Sequence, residues 1–346
     1  EDLIAEYNEA HPGVRVRFQA MPANTDTQHD AYVTYLSARE SNIDLYSLDV
    51  IWTAEFARAG WIDVLPPESL DAEAFLEGPL ESCMYEGALY AVPWFTDAGV
   101  LYYRSDLLDQ AGLAVPETWP EFRRACGTVR DRPGMEGFVW QGARYEGLIC
   151  NFLEFLWGTG GSLEPERVIE SGPRVELEIA TALELMISFF EDGITPEGVL
   201  TYKEEDARRL FTEGNALFLR NWPYAWSMVE GEESKIRGKA GIAPLPHSEG
   251  ETGYSTIGGW NIALSSYSEH PEEALEFLRF ITGERSMVER AIKGGYLPTL
   301  RSTYGGRDGQ EANPHFASFF EVFKNTKTRP RSPHYPRMSD IMQENV

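Results

Sequence analysis

An α/β fold in two lobes is what this sequence predicts, and three observations predict it. The opening of the chain alternates helix-like and strand-like patterns, the rhythm of a parallel α/β sheet. Its 346 residues exceed one comfortable hydrophobic core. No repeat, low-complexity tract or linker divides them, so several short crossings between lobes are expected. Finally, three segments rich in aromatics and amides stand beside apolar runs that read as buried strands. Open α/β sheets bind ligands in the crevice beyond such strand ends.

The elements follow in order. Leu3, Ile4, Tyr7 and Ala10 recur at helical spacing, and His11-Pro12-Gly13 ends that helix. Val14, Val16 and Phe18 alternate with Arg15, Arg17 and Gln19, the pattern of a half-buried strand. A second helix over about 27–40 precedes a strand at 43–48. Thr118-Trp119-Pro120-Glu121 has capping-box spacing with an early proline. The longest helix is expected over 174–191, ending at Gly193. Pro271 opens another, closed by Gly283, and 286–293 follows, closed by Gly294. The stretch 328–338, rich in Pro and Arg, reads as an irregular surface strap.

Composition narrows the function classes. The net charge of −25 argues against a nucleic-acid partner, because neutralising phosphates needs clustered Lys and Arg. It fits a soluble, self-repelling surface. Cys83, Cys126 and Cys150 cannot all pair with one another, so a disulfide scaffold is excluded while one bridge stays open. The six histidines are scattered, without metal-ligand spacing, and no G-x-G-x-x-G or phosphate loop joins the early elements. No cofactor and no metal are expected. The apolar runs fall far short of the roughly 18 residues that span a bilayer.

Asn221-Trp222-Pro223-Tyr224-Ala225-Trp226 places three aromatics and an amide directly after the apolar run 216–219. Pro93-Trp94-Phe95-Thr96-Asp97 and Gly258-Gly259-Trp260-Asn261 are of the same kind. Flat rings cover the C–H faces of a sugar, while amides and carboxylates take its hydroxyls. One such cluster is ordinary core or turn packing; their recurrence points to a polyhydroxylated ligand.

These segments carry a resemblance that runs across nearly the whole chain. Together with the phrase from Glu6 to Val14, the run from Leu48 to Phe56, the run from Asp97 to Arg104 and the terminal Arg329-Pro330-Arg331, they make the sequence similar to the solute-binding proteins of carbohydrate ABC transporters. It looks closest to the trehalose/maltose-binding branch. The resemblance implies a two-lobed periplasmic-binding-protein fold of type II, with lobes joined by short hinge crossovers and the ligand cleft between them. The first lobe would combine residues 1–97 and 260–300, the second 98–259 and 301–346, with crossings near 97–100, 256–259 and 297–302. Hinge closure of this kind is favoured by a ligand that touches both lobes.

The resemblance also implies roles. Asp49 and Asp97 would accept hydrogen bonds from sugar hydroxyls; without it, they read as caps or structural ion pairs. Trp222, Tyr224 and Trp260 would be aromatic platforms, and Phe95 a wall. Gly258 and Gly259 would let the main chain approach the ligand. Arg329 would reach the sugar as a multi-donor fork, with Arg331 close enough to compete for the part. Trp52 reads as core, Glu55 as solvated, and Trp94 and Trp226 as either wall or packing. The family also carries a strand and loop before its first helix, which this sequence lacks, so trimming is expected.

The function so implied is non-enzymatic capture of a neutral disaccharide of the trehalose, maltose or sucrose type, and its delivery to membrane permease subunits. A monomer is expected, periplasmic or extracytoplasmic, with a lipid anchor through the missing N-terminus left open. Two other classes stay in play. A glycoside hydrolase would also pair carboxylates with aromatics, and the separation of its carboxyls decides the chemistry. A polyamine binder of the same fold would use similar residues.

Overall fold

The chain passes repeatedly between two units in the computed structural model, which describes all residues except 1, 67–69, 130, 131, 133, 165–168 and 306–315. The first unit comprises Glu1–Asp97, Gly258–Pro314 and Pro330–Met338; the second comprises Ala98–Ile257, His315–Arg329 and Ser339–Val346. Besides Gly258 and Gly259, which fall in the first unit, two segments differ from the expected lobes. Residues 297–302 hold no crossing: Leu297 bridges Thr96, and the Arg301 amide donates to the Ala74 carbonyl, which keeps the chain in the first unit. Residues 330–338 also belong there, because Arg331 pairs with Glu81 and Arg58 bonds His334. Part of the expected return to the second lobe, 306–315, lies outside the described residues.

In the first unit, β1 (Leu45–Asp49) pairs antiparallel with the latter half of a ten-residue strand, Ser255–Leu264. That strand also pairs with Val92–Ala98. A small hairpin, β2 (Met84–Tyr85) and β3 (Ala88–Leu89), precedes Val92–Ala98, here β4. Helices Asp2–Ala10, Pro271–Ile281 and Glu284–Gly294 help close the core, where Leu3, Phe75, Val92, Ile262, Leu278 and Met287 pack together.

The second unit is built on a four-stranded sheet. Its strands are β5 (Val100–Arg104), β6 (Glu136–Val139), β7 (Ala216–Asn221) and β8 (Ala240–Ala243), in the order β6-β7-β5-β8. The strand Ser255–Leu264, now β9, begins in this unit beside the short β10 (Thr326–Lys327). Every residue of helix Glu146–Gly158 is buried. Phe122 of helix Trp119–Val129 stacks on Phe218 of β7 at 4.3 Å, and Trp119 on Phe155 of helix Glu146–Gly158 at 5.0 Å, joining that helix to the sheet and to its neighbour.

Several sequence expectations are corrected. Both main sheets are mixed, with β1–β9, β5–β7 and β5–β8 antiparallel and β6–β7 and β9–β10 parallel. The strand β9 arrives from the other unit and not through a crossover helix, the connection that favours parallel pairing. Val14–Phe18 forms no strand among the described residues. The Asn8 side chain takes both the amide and the carbonyl of Val16, and Phe18 is 66% exposed. Helix Glu284–Gly294 closes on Gly295 at φ 71°, one residue later than expected. The strap is irregular only at its start, since Tyr335–Asn345 is helical. The capping box is formed: Thr118 N donates to Glu121 Oε2 at 3.2 Å before helix Trp119–Val129. All three cysteines are buried free thiols, so there is no bridge among them.

Candidate functional site

The expected site residues divide between the two units, and each set is described within its own unit. Of the three aromatic segments, only Asn221–Trp226 follows a strand end, that of β7. Phe95 and Asp97 sit inside β4, and Gly258, Gly259 and Trp260 sit inside β9. The reason is pairing: β4 and β9 extend along each other through those residues instead of stopping short of them.

In the first unit, β1 and β9 bring Asp49 opposite Trp260. The carboxylate is buried and accepts the Ile51 amide at 3.2 Å, which shapes the turn into helix Thr53–Arg58. Trp260 is half-buried, and its ring meets Trp52 edge-on at 5.5 Å. Trp52, 2% exposed, is core as expected. Glu55 is not merely solvated: it accepts from His29 at 2.6 Å.

Phe95 and Asp97 are two apart on β4 and hence share a face of the strand. Gly259 holds φ 126°, and a Cβ there would overlap the Phe95 carbonyl oxygen and come within 2.9 Å of Thr96 Cα. Its missing side chain therefore serves the close approach of β4 to β9. Its carbonyl accepts from the Val50 amide.

An arginine that the sequence pattern did not reveal completes this group. The Arg290 guanidinium lies 3.8 Å from the Trp94 ring centroid and 5.1 Å from those of Phe95 and Tyr296. Burial lowers its pKa to about 10, while the charges of Tyr296 and Asp97 act in the other direction. Cation–π contact with three rings holds this wall in place. Trp94 is thus part of a packed stack.

In the second unit, Trp222 and Tyr224 stand just after β7, both half-buried. Tyr102 Oη donates to the Trp222 carbonyl at 2.8 Å, and the Trp222 amide donates to Asn221 Oδ1 at 2.8 Å. Two carboxylates at the start of helix Glu204–Thr212 meet the same aromatics. Trp222 Nε1 lies 3.4 Å from Glu204 Oε1, and Tyr224 Oη donates to Glu205 Oε1 at 3.0 Å. Trp226, 8% exposed and stacked with Tyr102, is packing.

Arg329 is 4% exposed, and its Nη1 donates to Glu146 Oε1 at 2.8 Å. Ser339 Oγ bonds the other oxygen of Glu146. The fork is thus engaged by a buried carboxylate. Arg331, its competitor in the sequence, pairs with Glu81 near the surface of the first unit. A cavity of about 390 Å³ in the second unit, lined by Arg123, Cys126, Glu136, Asp192 and Ile194 among others, contains none of the expected site residues.

Glu204, Glu205, Glu154 and Arg290 were not found from the sequence. Glu204, Glu205 and Arg290 meet their aromatic partners, and Glu154 meets Arg220, across long sequence separations, and acidic residues are too common here to stand out. Arg220 and Trp222 alone carried a local signal, being two apart at the end of a buried strand. Among the described residues there is no cluster of His, Cys, Asp and Glu able to hold a metal, and no helix is long and apolar enough to cross a membrane.

With this geometry in view, comparison with known proteins is informative. Residues 1–288 match the family of bacterial extracellular solute-binding proteins. A probable ABC transporter-binding protein of Deinococcus radiodurans is 34% identical over 345 residues, covering 96% of this chain and 81% of its own. The mannitol-binding protein of Pseudomonas aeruginosa is 24% identical, covering 98% and 78%. Among solved structures, maltose-bound MalE3 of T. maritima superposes with a TM-score of 0.93 at 41% identity, covering 99% of this chain and 88% of that one. The two-lobed α/β fold of the periplasmic binding proteins is therefore the fold of this protein. The chain belongs to the bacterial extracellular solute-binding proteins.

Proposed function

We propose that this protein captures a neutral disaccharide of the trehalose, maltose or sucrose type for the permease of an ABC importer, outside the cytoplasm. The observation that carries this reading is the pairing of half-buried tryptophans with carboxylates: Trp260 opposite Asp49, and Trp222 beside Glu204. Indole faces suit the C–H faces of pyranose rings, and carboxylates accept two hydroxyl hydrogen bonds each. Phe95, Asp97 and Tyr224 would add a wall and further acceptors. Gly258 and Gly259 would present main chain, and Arg329, held by Glu146, would serve as a hydrogen-bond donor. The maltose complex of MalE3, at 41% identity, supports a disaccharide over a smaller polyol.

A cationic ligand fits less well. Trp222 and Trp94 each already stack against a guanidinium, at 4.1 and 3.8 Å. A second cation on either ring would meet like charge through a poorly screened path. Binding of an uncharged sugar carries no such penalty. The family is one of binding proteins, which favours capture over hydrolysis.

Isothermal titration with trehalose, maltose, sucrose, maltotriose, mannitol and spermidine tests the reading. Saturable 1:1 heat with one or two disaccharides, and unchanged sugar afterwards, is the expected result. Binding of spermidine alone, or release of glucose, would sink it.

A further inference from the structure

We propose that Arg220, clamped by Glu154, is the positioning residue that holds the Trp222 ring for ligand stacking. This rests on the sugar-binding reading above and deepens it. Arg220 and Trp222 are two apart at the end of β7, and the guanidinium carbon lies 4.1 Å from the indole centroid. Arg220 is 1% exposed, and three bonds set the plane of its fork. Nε donates to Glu154 Oε2 at 2.7 Å, Nη2 to Glu154 Oε1 at 2.5 Å, and Nη1 to Gln141 Oε1 at 3.1 Å. A planar cation fixed on both sides of its fork is a rigid plate, and a ring stacked on it inherits that orientation.

The base of the plate is rigid as well. Glu154 comes from the fully buried helix Glu146–Gly158, and its Oε1 also accepts the Thr256 amide at 3.0 Å. Thr256 Oγ1 in turn donates to the Cys150 carbonyl of the same helix. Gln141 Nε2 donates to the Arg220 carbonyl, closing a ring of bonds around the strand end. Burying an ion pair is a poor route to stability, because desolvation offsets most of the attraction. Retaining one directly against a half-buried aromatic is better explained by geometry: a side-chain platform improves binding when it is ordered before the ligand arrives.

The test is a double-mutant cycle on sugar affinity. Glu154→Gln with Arg220→Met removes both charges together, so neither is left buried alone. In the wild-type background this pair is expected to weaken binding of the best disaccharide about tenfold. In a Trp222→Ala background the same pair is expected to change affinity less than twofold, since the plate acts only through the ring. Equal losses in both backgrounds, or no loss in the first, overturn the proposal. Cooperative unfolding of each variant is checked in parallel. If the double variant does not fold, Arg220→Lys replaces it in the cycle, keeping the charge beside Glu154 and removing the planar fork. A wild-type protein that binds none of the sugars overturns the sugar reading and this proposal together. Wild-type binding with an additive cycle overturns this proposal alone.

Discussion

At Gly99 the backbone runs against the Glu154–Arg220 pair, and a Cβ there would overlap both Glu154 Oε1 and Arg220 Nη2. Gly99→Ala is therefore expected to destabilise the second unit by about 2–4 kcal/mol, read as a lowered urea midpoint, because overpacking here also pulls a buried ion pair apart. At the platforms, Trp222→Ala and Trp260→Ala are each expected to weaken sugar binding by about 2 kcal/mol or more. Titration calorimetry decides it, and unchanged affinity removes that tryptophan from the site. Asp97→Asn is expected to lower affinity while unfolding stays cooperative; a broad or early transition would make Asp97 structural instead. At this scale the sequence showed which residue types gather, but not who holds them. Trp222 was visible in its motif, whereas Glu154 lies 66 positions before Arg220 and only folding joins them.

Among elements, the link between helix Thr25–Ser37 and helix Thr53–Arg58 rests on a pH-sensitive pair. His29 Nε2 bonds Glu55 Oε2 at 2.6 Å beside Trp52 and Phe56. Burial pushes the imidazole pKa down, but the hydrogen bond and charge of Glu55, with Asp30, outweigh it and leave it raised. A raised histidine binds its proton more tightly folded than unfolded. Its stabilisation is fully present below the ordinary value of about 6.5 and is lost as pH rises through the folded value. Thermal midpoints are thus expected to fall through that window, and His29→Gln to flatten the fall. An unaltered pH profile in His29→Gln would assign the dependence elsewhere. Elements with local grammar were legible, the capping box at Thr118 and the buried run of β7 among them. Val14–Phe18 had the alternation of a strand, but alternation supplies no partner, and Asn8 took its main-chain groups instead.

For the whole molecule, 55 acidic against 30 basic side chains make self-repulsion a property of the surface and not of any pair. The Debye length shrinks from about 30 Å at 0.01 M salt to about 8 Å at 0.15 M. The thermal midpoint is accordingly expected to rise over that range in sodium chloride, with the affinity for a neutral sugar changing little. A midpoint that falls with salt would mean that ion pairs such as Arg285–Glu6 outweigh the repulsion. Bound sugar adds its own stabilisation, about 2.7 kcal/mol at a hundredfold excess over the dissociation constant, and this raises the midpoint without regard to salt.

The sequence by itself determined the class of the fold and raised the expectation of a sugar ligand. Helical periodicity, apolar strand runs and the clustering of tryptophan with amide and carboxylate are local properties that survive reading one residue at a time. Tertiary structure decided where the aromatic segments lie along β4 and β9, which unit takes residues 330–338, and which carboxylates and guanidiniums stand behind the rings. Those are matters of long-range pairing. A charge finds its partner by three-dimensional proximity and burial, and neither is encoded in the spacing of residues along the chain.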